Sequence, residues 1–167
     1  MDFGTIFYCS KCMHKFDEYH ETCPICGYNP SSSSEESQNV HALKADCTML
    51  HKKRYLLGAV IGEGGFGITY AAFDRTINQP VAIKEYFPIT LCERDTEEDK
   101  NVIINPGCQK LYQYGLHKFI KEAQTLGSLE DVKNVVPVID YFEENNTAYY
   151  SMEFLEGKGV DTSKVVV

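Results

Sequence analysis

A glycine-rich stretch followed by a lysine is the part of this sequence best suited to chemistry. Residues 62–67 read GEGGFG, so that Gly62, Gly64 and Gly67 fit the pattern G-x-G-x-x-G. Glycines at such positions let backbone N–H groups approach a polyphosphate closely, because no side chain stands in the way. Lys84 ends an apolar run, V-A-I-K, and an unpaired ammonium beside a buried strand would be costly. Together, the glycines and the lysine predict a phosphate-binding site.

Four cysteines form the second group with chemical potential. C-x-x-C occurs at Cys9 and Cys12 and again at Cys23 and Cys26, with ten residues between the two pairs. This spacing suits one tetrahedral Zn²⁺, and four thiolates leave no open position for catalysis, so the predicted site is structural. A module of this size buries little core, so the metal would supply much of its folding free energy. Two disulfides are the alternative, but the N-terminus lacks an export signal.

The apolar pattern predicts the elements that must hold these residues. Strands are expected at residues 55–61, 68–73, 81–84, 135–142 and 147–155. One helix is expected at residues 111–129, from an apolar stripe at Leu116, Phe119, Ala123 and Leu126. Glu122 lies beside that stripe and can point toward the sheet. Residues 89–110, before the helix, are expected to form an irregular insertion whose charge cluster, ERDTEEDK at residues 93–100, is a solvated face. Because the glycine loop runs into a strand, the pattern differs from a dinucleotide-binding loop, which runs into a helix.

This combination resembles the ATP-binding N-terminal lobe of a protein kinase. The resemblance rests on GGFGITY at residues 64–70, on VAIK and KEYFP at residues 81–88, and on F-x-x-E-A-x-x-L at residues 119–126. Two of these phrases, GGFGITY and KEYFP, are similar to a bacterial subgroup of serine/threonine kinases. The cysteine pairs, CPxCG in particular, resemble the zinc ribbon family. The implied fold class is α+β: a small four-cysteine zinc ribbon, then a kinase-like N-lobe of five antiparallel strands and one main helix.

The resemblance also implies roles for individual residues. Lys84 would bind the α- and β-phosphates of ATP and pair with Glu122, and both are catalytic in that family. Thr69 stands where the family usually has valine, and its β-branched shape preserves the adenine contact. The full set of implied ATP-binding residues is Ile61, Gly62, Glu63, Gly64, Gly65, Phe66, Gly67, Thr69, Ala82, Lys84, Val136, Met152, Glu153 and Leu155.

The same residues also permit less specific interpretations. The glycines could form an ordinary hairpin turn, although that turn needs fewer of them. Lys84 could extend from a strand end to solvent. Glu122 could pair with Lys118 one helical turn earlier.

The expected domains are a zinc ribbon at residues 1–29, a flexible linker at 30–42, the N-lobe at 43–157 and a tail at 158–167. No H-R-D-x-x-x-x-N or D-F-G motif follows residue 157, so the catalytic base and the main magnesium ligand of a kinase C-lobe are missing. We therefore expect the N-terminal portion of a serine/threonine kinase, inactive by itself, with Mg²⁺ bound only when the missing lobe is present. The alternative is a non-catalytic module, with a zinc ribbon, that binds a nucleotide or a partner.

Composition limits the partners. The net charge is −8, from 24 acidic and 16 basic residues, which argues against a nucleic-acid or anionic-membrane surface. No apolar run approaches the roughly 18 residues that a membrane helix needs. Paired thiolates without an export signal favour the cytoplasm. The expected partners are ATP, a protein substrate in the complete enzyme, and a second copy through the apolar underside of the lobe.

Overall fold

The computed structural model describes residues 6–32, 40–95, 100–129, 133 and 135–155, and the backbone of residues 2–3. The predicted linker is described only at its two ends. The predicted tail and the last two residues of the predicted lobe lie outside the described residues.

The N-terminal module contains three short antiparallel strands, β1 (Asp2–Phe3), β2 (Ile6–Tyr8) and β3 (Lys15–Phe16). The first cysteine pair lies between β2 and β3, in a turn closed by a hydrogen bond from Met13 N–H to the Cys9 carbonyl oxygen at 3.0 Å. The second pair lies in a similar turn, where Gly27 N–H donates to the Cys23 carbonyl oxygen at 2.8 Å. Gly27 has φ 74°, a left-handed conformation that glycine adopts without steric cost.

Eight further strands and one helix form the rest of the described chain. In chain order they are β4 (Met49–Leu50), β5 (Tyr55–Gly64), β6 (Gly67–Asp74), β7 (Gln79–Tyr86), β8 (Cys92–Arg94), β9 (Val102–Ile104), α1 (Gln109–Ser128), β10 (Val138–Glu144) and β11 (Thr147–Glu153). Six of the strands make one antiparallel sheet in the order β10-β11-β7-β6-β5-β4, and β8 pairs with β9 separately.

The five predicted strands and the predicted helix are all present. The tenth strand begins only at Val138, one residue after Pro137, because proline cannot donate to the strand ladder. Two features were not expected. Strand β4 is too short for any periodic pattern to reveal, and the segment after β7, predicted to be irregular, contains the β8–β9 hairpin.

Strand alternation gives the large sheet two faces with different neighbours. The helix face carries Thr69, Ala82, Lys84, Tyr150 and Met152, and α1 packs against it, with the Phe119 and Tyr150 rings 4.9 Å apart. The outer face carries Tyr70, Ile83, Glu85, Tyr149 and Ser151. Both faces are buried over most of their area, which explains why every residue of β6 is buried.

A buried ion pair joins the outer face to the β8–β9 hairpin. Arg94 Nη1 and Nη2 donate to the two carboxylate oxygens of Glu85 at 2.7 and 2.8 Å. Tyr70 and Tyr149 each donate a hydroxyl to the same carboxylate, at 2.8 and 2.9 Å. The side chains of Glu85 and Arg94 are 0% and 6% exposed. The sequence analysis placed Arg94 in a solvated acidic cluster, and for Arg94 that prediction was wrong.

Two glycines of α1 give a paired prediction. A methyl group at Gly115 would overlap the buried hydroxyl of Tyr86, which donates to the Tyr112 carbonyl oxygen at 3.1 Å, whereas at Gly127 the nearest atom lies 3.8 Å away. We expect Gly115→Ala to destabilise the protein by about 1–3 kcal/mol through overpacking. Gly127→Ala should stabilise it by up to about 1 kcal/mol, because alanine loses less backbone entropy. Urea unfolding of both variants measures the difference; an equal shift in both would contradict the prediction.

Candidate functional site

An ion pair lies between the sheet and the helix. Lys84 Nζ on β7 is 3.9 Å from Glu122 Oε1 on α1, and the two side chains are 30% and 24% exposed. The pair is therefore only partly desolvated, and the ammonium keeps a side open to a further anion. Lys84 and Glu122, singled out separately in the sequence, are brought together here by the packing of α1 on the sheet.

Tyr150 completes this group, and the sequence analysis missed it. Its hydroxyl donates to Glu122 Oε1 at 3.3 Å, and the Lys84 ammonium lies 5.7 Å from the centre of its ring. Burial and then the charge of Glu122 raise the pKa of Tyr150, so the hydroxyl keeps its proton at neutral pH and remains a donor. The signal that could have revealed Tyr150 is strand register, because Tyr150 lies directly opposite Lys84 when β11 pairs with β7.

The rest of the helix face beside Lys84 is apolar or small. Thr69 lies opposite Lys84 on the neighbouring strand, and Ala82 lies opposite Met152. Thr69, Ala82 and Met152 are all buried, at 6%, 6% and 7% exposed. Together with Lys84, these three residues form a patch that has the Lys84 ammonium at its edge. Such a surface suits a flat apolar ring joined to an anionic group.

The glycine-rich segment forms the hairpin between β5 and β6. Gly64 pairs with Gly67, so the turn consists of Gly65 and Phe66, and Phe66 is 79% exposed. A methyl group at Gly67 would lie 2.6 Å from the Glu85 carbonyl oxygen, so packing requires that glycine. At Gly64 and Gly65 a methyl group would meet no atom within 4 Å, and neither backbone is left-handed. The fold itself therefore gives no reason for glycine at these two positions.

The remaining predicted site residues differ in how deeply they are buried. Ile61 and Gly62 are half-buried on β5, just before the hairpin, and Val136 is half-buried against the core. Exposed positions are occupied by Glu63 on β5, by Glu153 at the end of β11 and by Leu155 beyond it.

The four cysteines of the N-terminal module form one cluster. All four sulfur atoms lie within 4.8 Å of one another, with Cys9 to Cys26 at 3.6 Å and Cys12 to Cys23 at 3.7 Å. A tetrahedral site with metal–sulfur bonds of about 2.3 Å has sulfur–sulfur edges of about 3.8 Å, so the arrangement fits a metal ion. The sulfur–sulfur bond of a disulfide is about 2.05 Å long, so the cysteines are not bonded to one another.

The backbone around the cluster also fits a thiolate–metal site. Lys11 N–H donates to Cys9 Sγ at 3.4 Å, and such a bond stabilises negative charge on the sulfur. The cluster can thus hold one divalent ion in four-coordinate geometry.

Within the described part of the chain, no helix combines the length and the apolar character needed to cross a bilayer.

Comparison with known proteins gives a consistent result. No family model matches the chain. Serine/threonine-protein kinase B of Synechocystis is 30% identical over 105 residues, which cover 62% of this chain and 16% of the relative. PrkC of Bacillus subtilis is 33% identical over 104 residues, which cover 62% of this chain and 13% of the relative. PknD of Protochlamydia amoebophila is 26% identical over 161 residues, which cover 92% of this chain and 14% of the relative. The chain therefore spans only 13–16% of the length of these three curated relatives.

Among solved structures, PpkA-294 in its apo form superposes with a TM-score of 0.62 and 32% sequence identity. The superposition covers 68% of this chain and 39% of that one. Sequence similarity to several serine/threonine kinases and this structural match agree with the glycine hairpin, the lysine–glutamate pair and the sheet-plus-helix architecture. The lobe that follows the N-terminal module is therefore similar in sequence and fold to the N-terminal lobe of bacterial serine/threonine protein kinases.

Proposed function

We propose that the lobe binds ATP between the glycine hairpin and the helix face of the sheet. The observation that carries the proposal is the pair formed by Lys84 and Glu122, because it holds an ammonium in place beside an apolar patch and leaves it open to an anion. The adenine would lie against Ala82 and Met152, and the phosphates would lie under the hairpin against Lys84. The otherwise unexplained glycines at positions 64 and 65 support close approach of a phosphate chain.

Each residue has a distinct part in this proposal. Lys84 neutralises phosphate charge, Glu122 fixes the position of its ammonium, and the Tyr150 hydroxyl holds Glu122. Around the end of β11, backbone groups of Glu153 and Leu155 would hydrogen-bond the adenine edge. Ile61, Thr69 and Val136 would wall the adenine, and Glu63 and Phe66 would cover the phosphates.

In a complete enzyme the bound ATP would serve phosphoryl transfer to a serine or threonine hydroxyl of a protein substrate. The γ-phosphorus–oxygen bond to ADP breaks as the bond to the substrate oxygen forms, and the hydroxyl proton passes to a base. Mg²⁺, held by the larger lobe, would neutralise charge on the phosphates. Lys84 and the hairpin contribute by orienting the nucleotide before that step.

The cysteine cluster would hold a structural Zn²⁺. Four thiolates at tetrahedral spacing support zinc, and a complete ligand set supports a folding role. A thiolate site of this kind persists in a reducing compartment, which favours the cytoplasm. Self-association through the apolar underside of the lobe stays a prediction.

Nucleotide titration of the whole chain tests the proposal. We expect ATP to bind the wild-type protein and Lys84→Met to weaken binding by about ten- to a hundredfold, because a charge-assisted contact contributes about 1.5–3 kcal/mol. Gly65→Val should also weaken binding while leaving the thermal unfolding temperature unchanged, since its side chain enters space that only the ligand uses. Calorimetry measures the first quantity and scanning fluorimetry the second.

Lys118→Met is the matched control, because Lys118 is an exposed lysine of α1 whose ammonium lies over the Tyr114 ring, 4.7 Å from its centre. The ATP affinity of Lys118→Met should equal that of the wild type. Equal affinity in Lys84→Met and the wild type, or no ATP binding by a folded wild-type chain, would overturn the proposal.

A further inference from the structure

The first cysteine turn is docked on an irregularity of strand β5. Leu57 pairs with Ala72 and Val60 pairs with Tyr70, so Gly58 and Ala59 together face one residue of β6. Such a bulge removes a backbone group from the strand ladder. The freed Ala59 N–H donates to the carbonyl oxygen of Ser10 at 2.7 Å, and Ser10 lies between the first two cysteines of the cluster. The N-terminal module thus supplies a bond that the sheet leaves unmade.

Side chains on both sides of this bond fit closely. A methyl group at Gly58 would overlap the Ser10 carbonyl oxygen, so only glycine lets the turn approach. Met13 is 1% exposed, and its terminal methyl lies 3.1 Å from the position of that methyl group. The Ser10 hydroxyl donates to Asp46 Oδ1 at 2.6 Å.

An aromatic contact extends the same interface. The Tyr8 and Phe73 rings are 5.0 Å apart, and Phe73 is 1% exposed. The interface is therefore a packed surface with two polar anchors. The sequence analysis, which expected a tethered ribbon, did not predict this interface.

The bulge lies on the same strand as the glycine hairpin and precedes it in the chain. Ala59 is followed by Val60 and Ile61, and the strand then continues into Gly62 and the hairpin turn. The turn that holds Ser10 and Met13 has its geometry set by Cys9 and Cys12, two of the four sulfur ligands in the cluster. The cysteine turn therefore contacts the strand that leads to the hairpin, most directly through the Ser10–Ala59 hydrogen bond and the buried Met13 side chain.

We propose that Ser10 and Met13 are positioning residues for the nucleotide site, and that metal in the cysteine cluster and nucleotide in the lobe strengthen each other's binding. This proposal rests on the proposed nucleotide function. The metal-held turn fixes the β5 bulge, and the fixed bulge places the glycine hairpin. Because linkage is reciprocal, the factor by which metal raises nucleotide affinity equals the factor by which nucleotide raises metal affinity.

Amide hydrogen exchange at Ala59 tests the docking without any nucleotide. We expect slow exchange in the zinc-loaded chain and at least tenfold faster exchange after the metal is removed with a chelator. Met13→Ala should accelerate exchange in the loaded protein, whereas Ile25→Ala, at a 61% exposed position of the second cysteine turn, should not. An exchange rate at Ala59 that is the same with and without zinc would overturn the docking.

Nucleotide titration with and without zinc tests the coupling. The expected result is about fivefold or greater loss of ATP affinity on zinc removal, with the same factor for zinc retention when ATP is added. Met13→Ala should keep one zinc and lose this dependence, while Ile25→Ala keeps it. Equal ATP affinity in the two zinc states would overturn the coupling alone. No ATP binding in either state would overturn the proposed nucleotide function and the coupling with it.

Discussion

Replacement of Arg94 by methionine is expected to lower the free energy of unfolding by about 3–5 kcal/mol. The variant leaves the Glu85 carboxylate, which is 0% exposed, without its bidentate partner. It also removes the hydrogen bonds from Arg94 to the carbonyl oxygens of His41 and Lys100, both at 2.8 Å, which join β8 to the chain before β4 and to Lys100. Urea unfolding followed by tyrosine fluorescence measures the change.

A double variant separates the loss of charge balance from the loss of packing. Arg94→Met combined with Glu85→Gln removes both charges, so it should recover a large part of the stability lost in the single variant. Tyr70 and Tyr149 bind different oxygens of Glu85, so in the double variant one hydroxyl can donate to the glutamine oxygen and the other can accept from the glutamine amide nitrogen. Burial raises the pKa of both tyrosines, so their hydroxyls stay protonated. If the free energy of unfolding of Arg94→Met lies within about 1 kcal/mol of the wild-type value, the Arg94–Glu85 pair contributes little to stability.

Replacement of Cys23 by serine is expected to abolish stoichiometric metal binding and to unfold the N-terminal module. Removing one ligand of four breaks a site whose metal contributes about 10–16 kcal/mol of apparent binding free energy in small zinc modules. Elemental analysis of protein prepared without chelator should give one zinc in the wild type and none in the variant. Loss of exchange protection across residues 6–28 should accompany the loss of metal.

The chain offers a matched control at Cys47. This cysteine is exposed and lies outside the cluster, with its sulfur 3.9 Å from the Lys44 carbonyl oxygen. Cys47→Ser should keep one zinc and the wild-type unfolding temperature. A wild-type chain that carries no metal, or a Cys23→Ser chain that keeps it, would contradict the proposed site.

Neighbouring residues of β7 illustrate how the fold separates a buried ion pair from the proposed nucleotide site. Lys84 and Glu85 point to opposite faces of the same strand, because side chains alternate in a sheet. Glu85 is fully buried and held by three side chains, which suits a fixed structural pair. Lys84 is part-exposed and 3.9 Å from one oxygen of Glu122, so it remains available to an incoming anion.

The strands, the helix and the glycine–lysine motif could be predicted from the sequence, because periodicity and turn chemistry are local. Glu122 could be singled out for the same reason: it flanks an apolar stripe that must face the sheet. The cysteine cluster was also predictable, since the spacing of its two pairs already limits the geometry. No local pattern shows which residues meet across the sheet, so the Tyr150 contact to Glu122 was missed.

Two features depended on contacts between distant segments, and only the tertiary structure decided them. Arg94 lies in a highly charged run that any composition rule assigns to solvent, yet it is buried because Glu85 presents a carboxylate on the outer face. Gly58 looks like an unremarkable strand glycine until the Ser10 carbonyl oxygen is found against it. Sequence alone determined which groups could do chemistry, because their types and spacing are local; tertiary packing decided their partners, because burial and register are set by residues far away in the chain.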